Sequence, residues 1–232
     1  MLEITRKVNP QTSRLLPLIA WGHDKEWICL ITQHCVHGEL FAYLTEAPCV
    51  WGRDMCFNVS RQCAEAVYEL HSLGYAHNDI SLENYFVSSA EERGYIRTDG
   101  KQKLIIKLGD FAVASPLTQP RTYLTPGKKQ YNAPELFHYD GDAKGYNRAA
   151  ADVWALGVCI YTIFTKFQPF NEASNKCGLF RDIFNQTPEE VERALLKFVR
   201  LWKWESILSG GLIHLFSNIF VPETYRIRIG VF

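Results

Sequence analysis

The feature that most constrains the fold is a helix-length apolar segment in the second half of the chain, residues 149–167. Its apolar side chains recur on nearly every face of a helix, so other elements must surround it. These side chains are Val153, Trp154, Leu156, Ile160, Ile163 and Phe164. The most apolar stretch, Val153 to Thr165, is shorter than the roughly 20 residues that span a bilayer. The segment therefore predicts the centre of a helical domain and no association with a membrane.

The composition is that of a globular chain without a strong electrostatic preference. Of its 232 residues, 47% are hydrophobic and 22% are charged, and the formal net charge is zero. A nucleic-acid partner is not expected, because proteins that bind nucleic acid carry a basic patch. The seven cysteines are odd in number and lie mostly in apolar stretches, which favours reduced thiols. The charged N-terminus lacks the apolar core of a signal peptide, so we expect a cytoplasmic, intracellular protein.

Periodicity predicts several elements before the central helix. Residues 27–32 are apolar and partly β-branched, which predicts a buried strand. Residues 54–73 repeat apolar side chains at helical spacing, which predicts a helix with one buried stripe. Two strands, 85–87 and 104–108, are predicted to pair as a hairpin across a polar excursion. Residues 109–132 lack periodicity and contain prolines, so we predict an extended loop there.

Three further helices are predicted on both sides of this region. A short helix is expected from Glu39 to Leu44. Thr187 is followed by proline and two glutamates, a typical helix start. The apolar run from Ser206 to Val221 predicts a buried helix, although the regular pattern ends after Trp204.

Four short motifs follow one another along the chain, and their order is more informative than any one of them. They are His77-Asn78-Asp79-Ile80-Ser81-Leu82-Glu83-Asn84, Asp110-Phe111-Ala112, Ala133-Pro134-Glu135 and Asp152-Val153-Trp154-Ala155-Leu156-Gly157. Together they resemble the signature set of eukaryotic-type protein kinases. The resemblance covers roughly residues 1–185.

This resemblance implies an α+β, protein kinase-like fold with a mainly helical C-lobe and a remnant of the β-rich N-lobe. Residues 1–33 would be the N-lobe remnant, with the end of helix C and the last strands, and residues 34–38 would be the hinge. Residues 39–204 would form the C-lobe, and residues 205–232 remain an unassigned tail.

The resemblance also implies ATP- and Mg²⁺-dependent transfer of a phosphoryl group to Ser or Thr hydroxyls of a protein substrate. Phosphoryl transfer needs a carboxylate that orients the attacking hydroxyl and metal ions that neutralise the phosphates. By similarity, Asp79 would be the catalytic base, and Asn84 and Asp110 would complete the catalytic group as ligands of magnesium. A tyrosine substrate is less expected, because the loop lacks the Ala-Ala-Arg pattern of that branch.

The nucleotide base would bind where the N-lobe remnant meets the hinge. By similarity, Thr32 lies at the gatekeeper position, and the backbone of Gln33 and Cys35 would bind the adenine edge. Phe86 would form the apolar floor, and Glu39 could reach the ribose or a basic substrate residue.

Other residues of the motifs would have structural roles. His77 and Phe111 would pack the catalytic loop on the core, and Asp152 would bind the backbone of that loop. Glu135 would anchor the activation segment through a buried ion pair, for which Arg193 and Arg200 are the obvious partners.

The sequence departs from the family pattern in ways that predict impaired activity. It contains neither a glycine-rich loop nor a strand lysine of the Val-Ala-Ile-Lys type, and Met1 stands about where the ion-pairing glutamate of helix C belongs. Asn78 replaces an arginine, which puts phosphorylation-dependent gating in doubt, and Ala112 replaces a glycine. Ser81 stands where Ser/Thr kinases carry a lysine, and Lys128 where they carry a threonine.

Two other functions stay open at this level. A catalytically inactive pseudokinase could present its helical lobe to a partner protein as a scaffold. A small-molecule kinase of the choline or aminoglycoside type also uses a His-Asn-Asp loop. Those families lack the Ala-Pro-Glu and Asp-x-Trp-x-x-Gly motifs, which are both present here.

Overall fold

The computed structural model describes residues 3–4, 8–9, 11–46, 51–89, 104–118, 127–137, 145–184 and 186–229. Within them, the helices are α1 (Leu40–Glu46), α2 (Arg53–Ser72), α3 (Arg148–Thr165), α4 (Gly178–Ile183), α5 (Pro188–Trp202) and α6 (Gly210–Ile219). The strands are β1 (Leu18–His23), β2 (Ile28–Thr32), β3 (Tyr75–Ala76), β4 (Tyr85–Ser89), β5 (Leu104–Leu108) and β6 (Ser115–Pro116). They pair antiparallel as β1–β2, β3–β6 and β4–β5. The predicted class, α+β and mainly helical, is confirmed.

Helix α3 is the predicted central helix. The side chain of Asn147 caps its start by accepting a hydrogen bond from the backbone N–H of Ala150 at 3.1 Å. Lys166 ends it in the left-handed conformation, with a φ of 65°. Among the described residues, α3 is the one helix that is long and apolar enough to cross a membrane, and 78% of that window is buried inside the protein. Its apolar surface is therefore used by the core.

The hairpin of β4 and β5 forms part of the floor on which the site is built. Tyr85 lies opposite Leu108 and Val87 opposite Ile106, and all four side chains are fully buried. The predicted hairpin is confirmed, with β4 extending to Ser89. The polar excursion between the strands lies outside the described residues from position 90 to 103.

The predicted burial of the strand at 27–32 is wrong. Strand β2 starts at Ile28 and pairs with β1, but its side chains face solvent: Ile28 is 75% exposed and Ile31 is 56% exposed. The apolar pattern correctly predicted a strand. The burial did not follow, because within the described residues no second layer packs over this hairpin.

The segment before β1 is fixed to the helical lobe. The Leu16 N–H donates to the Leu108 carbonyl at 2.7 Å, which adds this segment to the edge of β5. The Arg14 N–H donates to Glu69 of α2 at 2.7 Å, and its guanidinium pairs with Glu65 at 3.0 Å. The residues just before β1 are therefore fixed to both β5 and α2.

The C-terminal residues are part of the helical core. Helix α5 confirms the helix start predicted at Thr187, and its first turn is a capping box in which Thr187 and Glu190 bond each other's backbone N–H groups. Helix α6 confirms the buried helix predicted within 206–221, and its Phe216 is fully buried. This helix packs on α5 and α3, so the described part of the segment left unassigned by the sequence, residues 205–229, contributes to the helical core. The local pattern weakens after Trp204 because the next residues form turns before α6 begins.

Candidate active site

The loop that follows β3 is held by the central helix. The carboxylate of Asp152, in α3, accepts hydrogen bonds from the backbone N–H groups of His77 at 2.7 Å and Asn78 at 2.9 Å. Two consecutive N–H groups bound to one buried carboxylate fix the start of the loop. The predicted role of Asp152 is confirmed. Its Oδ2 also lies 2.9 Å from Nε2 of His71 in α2, which ties the loop to a second helix.

His77 joins this loop to the segment that carries Asp110. Its Nε2 donates to the Gly109 carbonyl at 2.9 Å, and its ring centroid lies 5.4 Å from that of Phe111. Burial lowers the pKa of His77 below its ordinary value, against the opposite pull of the nearby Asp152 carboxylate. His77 is therefore a neutral packing residue, and the predicted packing of His77 and Phe111 is confirmed by their burial.

Asp79 and Asn84 lie at the two ends of the loop and contact each other. The Asn84 amide Nδ2 donates to the Asp79 carbonyl at 2.6 Å and to its carboxylate Oδ2 at 3.0 Å. The other carboxylate oxygen, Oδ1, is buried and has no hydrogen-bond partner among the described residues. A buried carboxylate oxygen without a partner is costly. It is the kind of atom expected where a substrate proton or hydroxyl would be received.

Asp110 lies next to this pair through the backbone. The Gly109 N–H donates to the Asn84 carbonyl at 2.9 Å, so the residue before Asp110 is bonded directly to the second loop residue. Asp110 has a φ of 57°, a left-handed conformation that aspartate tolerates. Its side chain is exposed, and its Oδ1 accepts a long hydrogen bond from the Ala112 N–H at 3.4 Å.

The three candidate catalytic residues are thus brought together, with oxygen atoms suited to magnesium. Asn84 uses its amide hydrogens on Asp79, so its side-chain oxygen is the atom that could bind a metal. Magnesium is commonly held by one or two protein oxygens together with waters and phosphates. Within the described residues, no group of three or more His, Cys, Asp or Glu side chains could hold a metal by itself. The chemistry of Asn84 and Asp110 therefore fits magnesium delivered with phosphates.

The predicted nucleotide residues lie along the junction between β2 and β4. Thr32 ends β2 opposite Leu18, and the Gln33 N–H donates to the Pro17 carbonyl at 3.3 Å. Cys35 is buried, and its carbonyl accepts from Gly38 at 3.0 Å in a tight turn.

The hinge reaches the floor strand through backbone contacts. Glu39 forms an antiparallel bridge with Phe86, and the Val87 N–H donates to the Gly38 carbonyl at 2.8 Å. A Cβ at Gly109 would lie 2.8 Å from the Phe86 ring, so only glycine allows this close approach. Phe86 therefore lies between the hinge and the segment that carries Asp110.

The segment after Asp110 is held by Asn78. The Asn78 side-chain amide donates to the Val113 carbonyl at 2.7 Å and to Ser115 Oγ at 3.0 Å. Arg148 also donates to Ser115 Oγ, at 2.8 Å. The residue that replaces the usual arginine thus binds the segment directly.

Two contacts were missed by sequence reasoning. Glu135 pairs with Arg226, at 2.5 Å and 3.0 Å between the two pairs of atoms, and the prediction of Arg193 or Arg200 is wrong. No local pattern marks Arg226, which lies 91 residues away along the chain. The second contact joins Lys128 Nζ to Ser81 Oγ at 2.8 Å. Ser81 and Lys128 both depart from the family pattern. Two departures in one chain were the signal from which this contact could have been predicted.

The comparisons with known proteins agree with this geometry. The family model described as the protein kinase domain matches residues 2–228. The chain is 30% identical over 191 residues to the serine/threonine-protein kinase ksp1 of Schizosaccharomyces pombe, covering 78% of this chain and 37% of the relative. It is 28% identical over 192 residues to the calcium/calmodulin-dependent protein kinase cmkA of Emericella nidulans, covering 80% and 42%. The serine/threonine-protein kinase RCK2 of Saccharomyces cerevisiae is 24% identical over 230 residues, covering 89% and 35%. The chain therefore spans less than half the length of these relatives.

Proposed function

The chain belongs to the protein kinase domain family, and from this premise we propose that it transfers the γ-phosphoryl group of ATP to Ser or Thr hydroxyls of a protein. The observation that carries the proposal is the Asp79 carboxylate, bonded to Asn84 through one oxygen and unpartnered at the other, buried one. The names of relatives that are serine/threonine kinases support the choice of hydroxyl.

Each site residue has a proposed task in this reaction. Asp79 Oδ1 would orient the substrate hydroxyl and accept its proton as the oxygen attacks phosphorus. Asn84 and Asp110 would hold magnesium, which neutralises the phosphates when it is bound.

The adenosine part would lie along the hinge. The backbone of Gln33 and Cys35 would bind the adenine edge, with Phe86 beneath the base. Thr32 would limit the depth of the pocket. Glu39 is exposed at the hinge end, where it could bind the ribose or a basic substrate residue.

We further propose that this chain transfers the phosphoryl group slowly, because two residues inside its motifs depart from the family pattern. Asn78 replaces the arginine that would bind a phosphorylated segment. Ala112 replaces a glycine after Asp110-Phe111, and its Cβ restricts the backbone there.

A phosphoryl-transfer assay with radiolabelled ATP, magnesium and a mixture of Ser- and Thr-containing peptides tests the proposal. We expect slow, magnesium-dependent labelling that falls at least about 100-fold in Asp79→Asn, because a positioned base contributes about that much or more. Asp182→Asn is the control, since Asp182 is 66% exposed and pairs only with its neighbour Arg181 among the described residues. Labelling that is equal in wild type and Asp79→Asn would overturn the proposal.

A second candidate, a non-catalytic binding module, is favoured by the exposed apolar hairpin. Besides Ile28, Trp27 is 69% exposed and Ile19 is 68% exposed. Apolar side chains in such a group commonly mark a surface that contacts another molecule. A folded wild-type chain that labels no peptide under any of these conditions would make this candidate the better account.

A further inference from the structure

The loop that carries Asp79 has no cationic side chain of its own. From His77 to Asn84, its charged residues are Asp79 and Glu83, and it contains no lysine or arginine. The transferring phosphoryl group spreads negative charge over three oxygens, and cations that contact those oxygens lower the barrier. A lysine or arginine that contacts a phosphoryl group beside Asp79, in addition to bound magnesium, must therefore come from another element.

Lys128 brings an ammonium group to this loop from another segment. Its Nζ donates to Ser81 Oγ at 2.8 Å, and Ser81 is fully buried in the loop between Asp79 and Asn84. The preceding residue is also close to the loop, because a Cβ at Gly127 would lie 3.1 Å from Asp79 Oδ1. The backbone next to Lys128 therefore lies beside the Asp79 carboxylate, and the Lys128 side chain contacts the same loop at Ser81.

The charge of Lys128 is not neutralised locally within the part of the chain that the structure describes. No described carboxylate lies within 4.0 Å of its Nζ, and its hydrogen-bond partner Ser81 is a neutral hydroxyl. An ammonium group has three N–H donors, of which Ser81 accepts one.

Lys128 also connects the two spaces around the loop. It lines a small cavity with Asp79 and Asn132, and it lines a wider groove with Glu83 and Gln130. It is partly exposed. The Lys128 side chain therefore shares the lining of one cavity with the Asp79 carboxylate.

We propose that Lys128 is a catalytic residue that contacts the transferring phosphoryl group, with Ser81 as its anchor. This inference rests on the proposed function. The substrate oxygen forms a bond to the γ-phosphorus, the bond to the β,γ-bridging oxygen breaks, and ADP leaves with that electron pair. The hydroxyl proton goes to Asp79, while Lys128 keeps its protons and supplies charge. Because Lys128 and Asp79 are on separate segments, displacement of residues 127–137 would remove the cation from the site.

The kinetic test compares Lys128→Met with the neighbouring control Lys129→Met, which changes an exposed lysine. We expect Lys128→Met to lower kcat about 100-fold or more, as loss of one preorganised group does, with little change in KM for ATP. Exchanging the two residues, as Ser81→Lys with Lys128→Ser, returns an ammonium to the same contact and should recover at least about tenfold in kcat. Equal kcat in the two methionine variants, or a folded exchange variant without recovery, would overturn the proposal.

A binding measurement separates this proposal from the function on which it rests. Calorimetry compares Mg·ADP alone with Mg·ADP plus aluminium fluoride, a mimic of the transferring phosphoryl group. We expect aluminium fluoride to tighten the binding of Mg·ADP in wild type and in Lys129→Met, and to tighten it much less in Lys128→Met. If wild type binds Mg·ADP neither alone nor with aluminium fluoride, both proposals fail. If aluminium fluoride tightens binding in Lys128→Met as much as in wild type, the proposed role of Lys128 is wrong, although the nucleotide site is present.

Discussion

Two buried charged residues, Asp152 and Arg226, fix the segments that carry the candidate active site. Asp152 binds the start of the catalytic loop, and Arg226 holds Glu135, which lies at the end of the segment after Asp110. Arg226 also donates to the carbonyls of Ile219, Val221 and Ala150. Every donor of this guanidinium therefore has an acceptor, which is the condition under which a buried charge is tolerated.

The Arg226–Glu135 pair should contribute to the stability of the fold. Replacing Arg226 by methionine leaves the Glu135 carboxylate mostly buried without its partner, so the free energy of unfolding should fall by about 3–5 kcal/mol. Arg228→Met, at an exposed arginine two positions on, should change it by less than about 0.5 kcal/mol. Urea denaturation of both variants measures the difference. An equal loss in the two variants would contradict the assigned role of Arg226.

His77 should make the free energy of unfolding depend on pH. Because its pKa is lowered by burial, the unfolded chain takes up a proton near the ordinary histidine pKa of about 6.5 while the folded chain does not. The free energy of unfolding should therefore decrease as the pH falls from about 7 to 5, by up to about 1.4 kcal/mol per pH unit from this one residue. His77→Gln should have a shallower slope over that window.

Chemical denaturation at each pH gives these slopes. Parallel pH profiles for wild type and His77→Gln would mean that His77 does not titrate between the folded and unfolded states as described.

At the scale of elements, the close approach of α3 and α6 determines how the C-terminal residues cover the core. Gly157 in α3 lies against the end of α6, where an added Cβ would meet Ile219 at 2.5 Å and Phe220 at 3.1 Å. At Gly211, near the start of α6, an added Cβ would meet no atom of the described residues within 4 Å, apart from its chain neighbours and the backbone of its own helix. The two glycines are both helical and differ mainly in their surroundings.

The same substitution should therefore have opposite effects at these positions. Gly157→Ala should destabilise the protein by about 1–3 kcal/mol, because overpacking forces the helices apart. Gly211→Ala should stabilise it by about 0.5–1 kcal/mol, because alanine favours the helix and nothing obstructs its methyl group. Thermal unfolding monitored by circular dichroism measures both. A neutral or stabilising Gly157→Ala would show that α6 does not pack as described.

The sequence predicted those elements whose signals are local. The helix start at Thr187 and the apolar stripe of α2 depend on neighbouring residues, and both are confirmed. The exposure of β1 and β2 was not predictable, because an apolar pattern shows what a strand could bury but not whether another layer covers it.

At the scale of the whole molecule, the site lies between a helical lobe with a well-packed core and a small, exposed hairpin. The spacing of Asp79 and Asn84 within one loop predicted that these two residues would converge, and the structure shows them hydrogen-bonded. The role of Asp110 was implied by the family resemblance alone. The Glu135–Arg226 pair and the Lys128–Ser81 contact were not predicted. They join segments that only the complete fold brings together.

The proposed function requires that this chain bind magnesium and ATP at Asp110, and the thermal midpoint of unfolding reports that binding. A ligand that binds only the folded state raises Tm, by about 2–4 °C for each kcal/mol at this chain length. We predict a rise with ATP that requires magnesium, is retained in Asp182→Asn and is lost in Asp110→Asn. A rise of equal size in Asp110→Asn, or no rise in wild type at millimolar Mg·ATP, would contradict the claim.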